Sequence, residues 1–384
     1  MAREPEDGDF QAAASGKLRR PHDLEYVLSN ALFALGQREK MRPQPAQLVR
    51  SFITILLLAA TALACGEPTT GSPVPDAGLE ADASFDADAG EPTDASEPID
   101  AGDPTDGSLP DAGPIGDGGP VRVRMLAGNL TTGTRMNYNA GEGIRIFQGL
   151  RPDIAMIQEF NYGDNSPATL RGFVDTTFGP EFFLFREPQS SVDTMPNAII
   201  SRYPIVDSGE WYDPAAINRD LAWARIDVPG PTDLWVMSVH LRTSNATDRN
   251  RGATVAVQML SEVMAPGDLL AFGGDFNTSS RTEACITTLS AIVDTSAPYP
   301  VDQNGNGNTS AKRSSPLDWL LANSELRALE VPVEIGANSF PSGLVFDSRV
   351  YSPLEDVAPV LATDSAATGM QHMAVVRDFL FPQE

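Results

Sequence analysis

Six apolar runs in the last two thirds of the chain begin or end at a residue able to do chemistry. Asn129 follows Val121-Arg-Val-Arg-Met-Leu126, Glu159 ends Ile154-Ala-Met-Ile-Gln-Glu, and His240 ends Leu234-Trp-Val-Met-Ser-Val-His. Asp275 and Asn277 follow Leu269-Leu-Ala-Phe-Gly-Gly, Asp318 opens Asp-Trp-Leu-Leu, and His372 precedes Met373-Ala-Val-Val. Carboxylates, amides and imidazoles can hold a hard cation or carry protons. In an extended Asp275-Phe-Asn277, residues i and i+2 point to the same side, so both are expected to face one point. The chain contains three histidines, and two of them belong to this set.

The runs that must position these groups read as strands. Val121–Leu126 alternates, and apolar runs recur at 154–157, 182–185, 198–200, 221–226, 234–239, 269–272, 317–321 and 373–379. Ile144–Leu150 suits a short helix stopped by Pro152, and helices are expected over Asn250–Val263 and Thr282–Leu289. Many strands with few helices predict an α/β domain over 121–384, with sheets packed on each other and helices outside. Cys285 reads as a small buried residue in its helix. Asp302-Gln-Asn-Gly-Asn-Gly-Asn308 resembles the start of a calcium loop, but Arg313 stands where the closing acid belongs, so a turn is expected.

The motif order carries a resemblance. Gly128-Asn-Leu130, Ile157-Gln-Glu159, Arg186-Glu-Pro188, Asn197-Ala-Ile-Ile-Ser-Arg-Tyr-Pro204, Ser238-Val-His-Leu241, Gly274-Asp-Phe-Asn277, Pro316-Leu-Asp-Trp319 and Gln371-His372 occur in sequence. In these motifs residues 121–384 resemble the endonuclease/exonuclease/phosphatase superfamily, relatives of pancreatic deoxyribonuclease. The resemblance implies a four-layer α/β/β/α sandwich of two mostly antiparallel sheets with outer helices, and metal-dependent hydrolysis of a phosphate ester. It implies that Glu159 and Asn129 hold Mg²⁺ or Mn²⁺, that Asp275 takes the proton of the attacking water, and that Asn277 orients it. His240 and His372 would donate to phosphoryl oxygens, backed by Glu187 and Asp318 respectively. One position departs from the family pattern: Gln371 stands where an Asp usually precedes the last His, and Asp364 is the acid expected to replace it at the metal.

The remainder of the chain reads as an export device. Phe52–Ala64 is a 13-residue apolar run behind Arg42 and Arg50, too short for a bilayer span of about 20 residues and laid out as a signal peptide ending at Cys65. It resembles a bacterial lipoprotein signal, which implies a lipid anchor at Cys65 and an envelope location. Residues 1–40 then form a misassigned extension ahead of Met41, and 41–65 the signal. Residues 66–120, with 14 acids and no Lys or Arg, form a disordered spacer. The two cysteines exclude a disulfide framework. The formal charge is -25, of which residues 121–384 carry -12, with Lys312 the single Lys there. Such a protein does not bind polyanions by bulk attraction, so phosphate contact must be local, with Lys312-Arg313 one candidate. A monomeric exported nuclease is the expected function. A phospholipid or sphingomyelin phosphodiesterase, a small-molecule phosphatase and a non-catalytic binding module are the alternatives. A lipid substrate would call for exposed apolar loops, for which Val350–Leu354 is the candidate.

Overall fold

The computed structural model describes residues 119–383, so the readings of the extension, signal, Cys65 and most of the spacer lie outside the described residues. The chain enters through β1 (Val121–Gly128), α1 (Glu142–Leu150), β2 (Ile154–Ile157), α2 (Pro167–Thr177), β3 (Phe183–Arg186) and β4 (Ala198–Ser201). It continues through β5 (Ile205–Trp211), β6 (Leu221–Ile226), β7 (Leu234–His240), α3 (Ala246–Val263), β8 (Leu269–Asp275) and α4 (Ala284–Leu289). It closes with β9 (Asp318–Ala322), α5 (Ser324–Arg327), β10 (Glu330–Val331), β11 (Val333–Ile335), β12 (Asn338–Phe340), β13 (Leu344–Phe346), two short 3₁₀ turns and β14 (Ala374–Phe381).

The first sheet has the order β10-β14-β1-β2-β4-β3, with β13 also paired to β14; the second has the order β5-β6-β7-β8-β9. Only β1–β2 and β7–β8 run parallel, and the other pairs are antiparallel. Strand alternation divides the apolar residues between layers. Val123, Met125 and Ala127 of β1 meet Ala224, Val236, Ala271 and Leu320 of the second sheet in a central core. Leu126, Ala155 and Ile157 face outward beneath Phe147 of α1 and Phe173 of α2. Met237, Val239 and Phe272 face the opposite way, beneath Ala256 of α3 and Leu289 of α4. The result is the expected α/β/β/α sandwich of four layers.

Several elements escape the periodicity. α2 starts on a Ser166 cap with Pro167 behind it, but its apolar stripe of Leu170, Phe173 and Val174 is short. β5 carries Asp207, Ser208, Gly209 and Glu210 because it is an exposed edge strand. Cys285 is fully buried in α4, as expected. The Asp302 segment is a turn: Asp302 Oδ1 accepts from the amides of Asn304 and Asn306, and Oδ2 pairs with Arg313 at 2.8 Å. Arg313 also pairs with Asp347 at 2.6 Å, which leaves Lys312 as the unpaired half of that basic dipeptide. Tyr351 is buried against Phe340 and Phe346, so Val350–Leu354 is not an exposed apolar loop.

Candidate active site

The polar residues meet at strand ends next to a close approach of the two sheets. Gly273 permits that approach: a Cβ there would lie 2.8 Å from Met156 Sδ and 2.9 Å from Ala127 Cβ, both of the opposite sheet. Gly274 adopts φ +134°, and a Cβ would collide with the Val239 carbonyl. The next residue is Asp275. Parallel register sets His240 beside Asp275, and antiparallel register sets Asp318 on its other side. Asn129 and Glu159 arrive from the ends of β1 and β2. Glu159 sits at φ +52°, a left-handed conformation uncommon for Glu and typical of residues held for function.

Asp275 is the hub. Its Oδ2 lies 3.2 Å from His240 Nε2 and 3.5 Å from His372 Nε2, and accepts from Asn129 Nδ2 at 3.5 Å. Asn129 Nδ2 also donates to Glu159 Oε1 at 2.9 Å, and its backbone N–H donates to Asp318 Oδ1 at 3.3 Å. Asp318 Oδ2 takes the other ring nitrogen of His372 at 2.9 Å. All of these side chains are buried.

Burial and neighbours drive the two imidazoles apart. Burial opposes charge on His372, but Asp318 and Asp275 outweigh it and raise the group to about 10. Burial pushes His240 well below its ordinary value, and the Arg219 charge adds to that, so its ring is neutral. Burial also raises Asp275, to about 7, against the pull of His372. Glu159 is raised for the same first reason, although the Asn129 hydrogen bond opposes it.

Two expectations about roles are corrected. Glu187 does not back His240. It is buried, but its oxygens accept from the Asn197 amide at 2.7 Å and Asn197 Nδ2 at 3.1 Å, while His240 Nδ1 has no hydrogen-bond partner. The nearest acid to that nitrogen is Glu159, at 3.9 Å. Asp364 does not join the cluster either: Arg145 holds it with contacts of 2.6, 3.0 and 3.2 Å, fastening the loop before β14 to α1. Gln371 is exposed, and its amide nitrogen lies 3.6 Å from Met136 Sδ. Asn277 is displaced from its expected geometry as well. β8 ends at Asp275, Asn277 turns to φ +54°, its N–H donates to Asp275 Oδ1 at 2.9 Å, and its side chain donates to Leu241 O at 3.0 Å. It braces the cluster from one side instead of facing a common point with Asp275.

Sequence reasoning missed Arg219. It is buried, and its Nε donates to His240 O at 2.8 Å. Flanked by Asn218 and Asp220 in a polar loop, it carries no signal beyond preceding an apolar strand. Thr309, in the segment before Asp318 where the sequence suggests phosphate contact, serves Asp318 instead: its hydroxyl accepts from the Asp318 amide at 2.7 Å.

The donor set fits a hard divalent cation. Three buried carboxylates, Glu159, Asp275 and Asp318, converge with one amide, and a single charged imidazole lies among them. The ligating atoms of Asp275, Asp318 and His372 fall within 4.8 Å of one another. Oxygen donors with excess negative charge are what Mg²⁺ or Mn²⁺ requires.

Solved structures resemble the chain. An endonuclease/exonuclease/phosphatase from Beutenbergia cavernae is 17% identical over 68% of this chain and 72% of its own, with a TM-score of 0.45. One from Bacteroides vulgatus is 14% identical over 68% and 100%, with a TM-score of 0.46. A truncated Caenorhabditis elegans TDP2 is 13% identical over 67% and 98%, with a TM-score of 0.45. No curated protein matches significantly. The sequence model of the Endonuclease/Exonuclease/phosphatase family matches residues 135–342, more than half of the chain, and the protein belongs to that family, whose members are generally hydrolases of phosphoester bonds.

Proposed function

We propose that the protein is a divalent-metal-dependent phosphodiesterase acting on nucleic acid, exported and anchored to the cell envelope through Cys65. The observation that carries the hydrolytic reading is Asp275 held between a neutral and a charged imidazole, 3.2 and 3.5 Å away. Asp275 accepts the proton of the attacking water, and Asn277 keeps Asp275 Oδ1 oriented through its backbone N–H. Protonated His372, fixed through Nδ1 by Asp318, donates Nε2–H toward a phosphoryl oxygen as negative charge builds. Neutral His240 donates through Nε2. Glu159, with Asn129 beside it, would hold Mg²⁺ or Mn²⁺, whose chemistry is to neutralise phosphoryl charge and lower the pKa of bound water, while Asp275 is kept for the proton and Asp318 for His372.

The distribution of unpaired cations favours a polyanionic substrate on this acidic domain. Among the described residues, eight basic side chains have no ion pair to a carboxylate, and, besides the buried Arg219, five of them lie on segments next to site residues. Arg242 lies two residues past the end of β7, and Arg281 four residues past Asn277. Arg186 donates to Phe160 O beside Glu159. Lys312 adjoins Ala311, which is bonded to Gln371 O, and Arg135 precedes Met136, which touches Gln371. A local positive rim supplies the phosphate contacts that a net charge of -12 denies. A lipid phosphodiester is the second reading, favoured by Val192 and Ile217, which are 55% and 63% exposed on the loops that meet at Met195 and Asn218.

Assaying the purified protein with Mg²⁺ on DNA, RNA, bis-nitrophenyl phosphate and sphingomyelin vesicles separates these readings. Nucleic-acid cleavage that weakens in salt and in Lys312→Glu or Arg242→Glu, with bis-nitrophenyl phosphate unaffected, is expected. Preferential cleavage of sphingomyelin overturns the substrate, and no hydrolysis of any of the four by wild type overturns the enzyme. Cys65→Ser is expected to move the protein from membrane to soluble fractions; unchanged partition overturns the anchor.

A further inference from the structure

We infer that Arg219 is a positioning residue that sets the His240 imidazole, doing through the main chain what a carboxylate on Nδ1 would otherwise do. The inference rests on the proposed hydrolytic role of His240. That ring has no hydrogen-bond partner at Nδ1 and one close polar neighbour at Nε2, Asp275 at 3.2 Å. A ring held at a single polar edge inherits its orientation from its backbone. The backbone is fixed by Arg219, which donates through Nε to His240 O at 2.8 Å and through Nη2 to Leu241 O at 3.4 Å. Leu241 is further held by Asp275 O on its N–H at 2.9 Å and by Asn277 Nδ2 on its carbonyl at 3.0 Å. The His240-Leu241 peptide is therefore gripped from the loop before β6, from β8 and from the turn after β8, and Arg219 supplies the charged grip.

The choice of an arginine matters. Arg219 is 4% exposed and contacts no carboxylate; its remaining donor, Nη1, rests on Met195 Sδ at 3.0 Å. Burying a guanidinium without an ion pair is costly, and a purely structural tie could use a neutral donor. Burial lowers the Arg219 guanidinium from its ordinary value, and the charges that oppose this most are those of Asp275 and Glu159, across the site. The same side chain reaches the opposite wall. Met195 is bonded to Asn218 O, and the neighbouring Pro196 O accepts from Phe160 N, the residue after Glu159. Arg219 thus ties the His240 end of one sheet to the Glu159 end of the other.

The test compares Arg219→Met, Arg219→Lys and the double variant Arg219→Met/His240→Ala, with ¹⁵N and ¹³C signals of the three histidines as a readout independent of turnover. In Arg219→Met, kcat is expected to fall about 10²-fold with KM within about threefold, and Arg219→Lys should recover part of the loss. The double variant should be no slower than His240→Ala alone, within about threefold, because residues acting through one group are not additive. The His240 ring signals should shift in Arg219→Met while those of His372 stay in place. Wild-type kcat in Arg219→Met, a multiplicative loss in the double variant, or unmoved His240 signals overturns the inference. Should the wild type hydrolyse nothing, the ring signals alone decide it, separating its failure from that of the hydrolytic reading. Should Arg219→Met not fold, Arg219→Gln and Arg219→Lys give the same comparison.

Discussion

Replacing Asp318 with Asn tests whether the charged state of His372 is built by the fold. Asp318 Oδ2 lies 2.9 Å from His372 Nδ1 inside a buried cluster, and the imidazole is raised from its ordinary 6.5 to about 10. That displacement corresponds to about 5 kcal/mol of preference for the charged ring, since one pKa unit is worth about 1.4 kcal/mol. At pH 8 a ring titrating near 10 is about 1% neutral. Without the Asp318 charge, burial is opposed only by Asp275 and Glu159, and the neutral fraction at that pH should rise. Asn keeps the size and the acceptor but removes the charge. The expected losses are about 10²- to 10³-fold in kcat, the scale of an oriented donor to developing phosphoryl charge. The sign for stability follows from the same shift. A histidine raised on folding stabilises the protein fully below 6.5, and that contribution disappears as pH climbs through about 10. Asp318→Asn should therefore lose stability at pH 6 and converge on the wild type above pH 10. Titration of the histidine signals in EDTA, beside kcat and thermal unfolding from pH 6 to 10, measures all three quantities. With three histidines in the chain the signals are readily assigned. A His372 that stays protonated at pH 8 in Asp318→Asn, or an unchanged kcat, refutes the reasoning.

Four further outcomes follow. Burial holds up Asp275, from 3.8 to about 7, and raises Glu159 in the same direction, so the Asp275 contribution to folding is present below pH 3.8 and lost as pH rises through about 7, with Glu159 adding in the same sense; metal-free protein should melt lower at pH 8 than at pH 5, Mg²⁺ should narrow that gap, and EDTA should abolish turnover. Glu187→Gln should cost less than about tenfold in kcat while lowering thermal stability, because Glu187 serves Asn197 and not His240; a loss as large as that of Asp275→Asn would contradict this. Asp364→Ala should destabilise by about 2–4 kcal/mol by leaving Arg145 unpaired, and Gln371→Asp should leave the Mg²⁺ concentration for half-maximal rate unchanged; a metal requirement altered by either change would restore them to the metal site. Gly274→Ala should cost about 3 kcal/mol or more in denaturant unfolding, since its φ of +134° and the Val239 carbonyl leave no room for a Cβ.

Chemistry-bearing residues at strand ends were legible because strand ends have a simple signature. An apolar run that stops at Glu159, His240 or Asp275 announces both the element and the position of the polar group upon it. Sheets packed on each other with helices outside were legible in the many strands and few helices, while the four-layer order came from the resemblance of the motifs. β5 and the shortest strands were not legible, since β5 needs no apolar face and β10–β13 are two or three residues each. Pairing across the site belonged to the tertiary structure alone. Glu187, Asp364 and Gln371 each stand at a plausible place in the chain. Whether a carboxylate faces His240 or Asn197, or a cation site or Arg145, depends on contacts between neighbouring strands and between helix and loop, over separations from 10 to 219 residues. Arg219 makes the same point from the other direction. Its type and neighbours describe a surface loop, and only the packing of β6 beside β7 turns it inward to the carbonyl of His240. Residue type and strand periodicity are local properties that a sequence records directly. The partner of a buried charge is chosen by which desolvated groups the closed sandwich leaves within hydrogen-bond reach, and that choice exists only once the layers have packed.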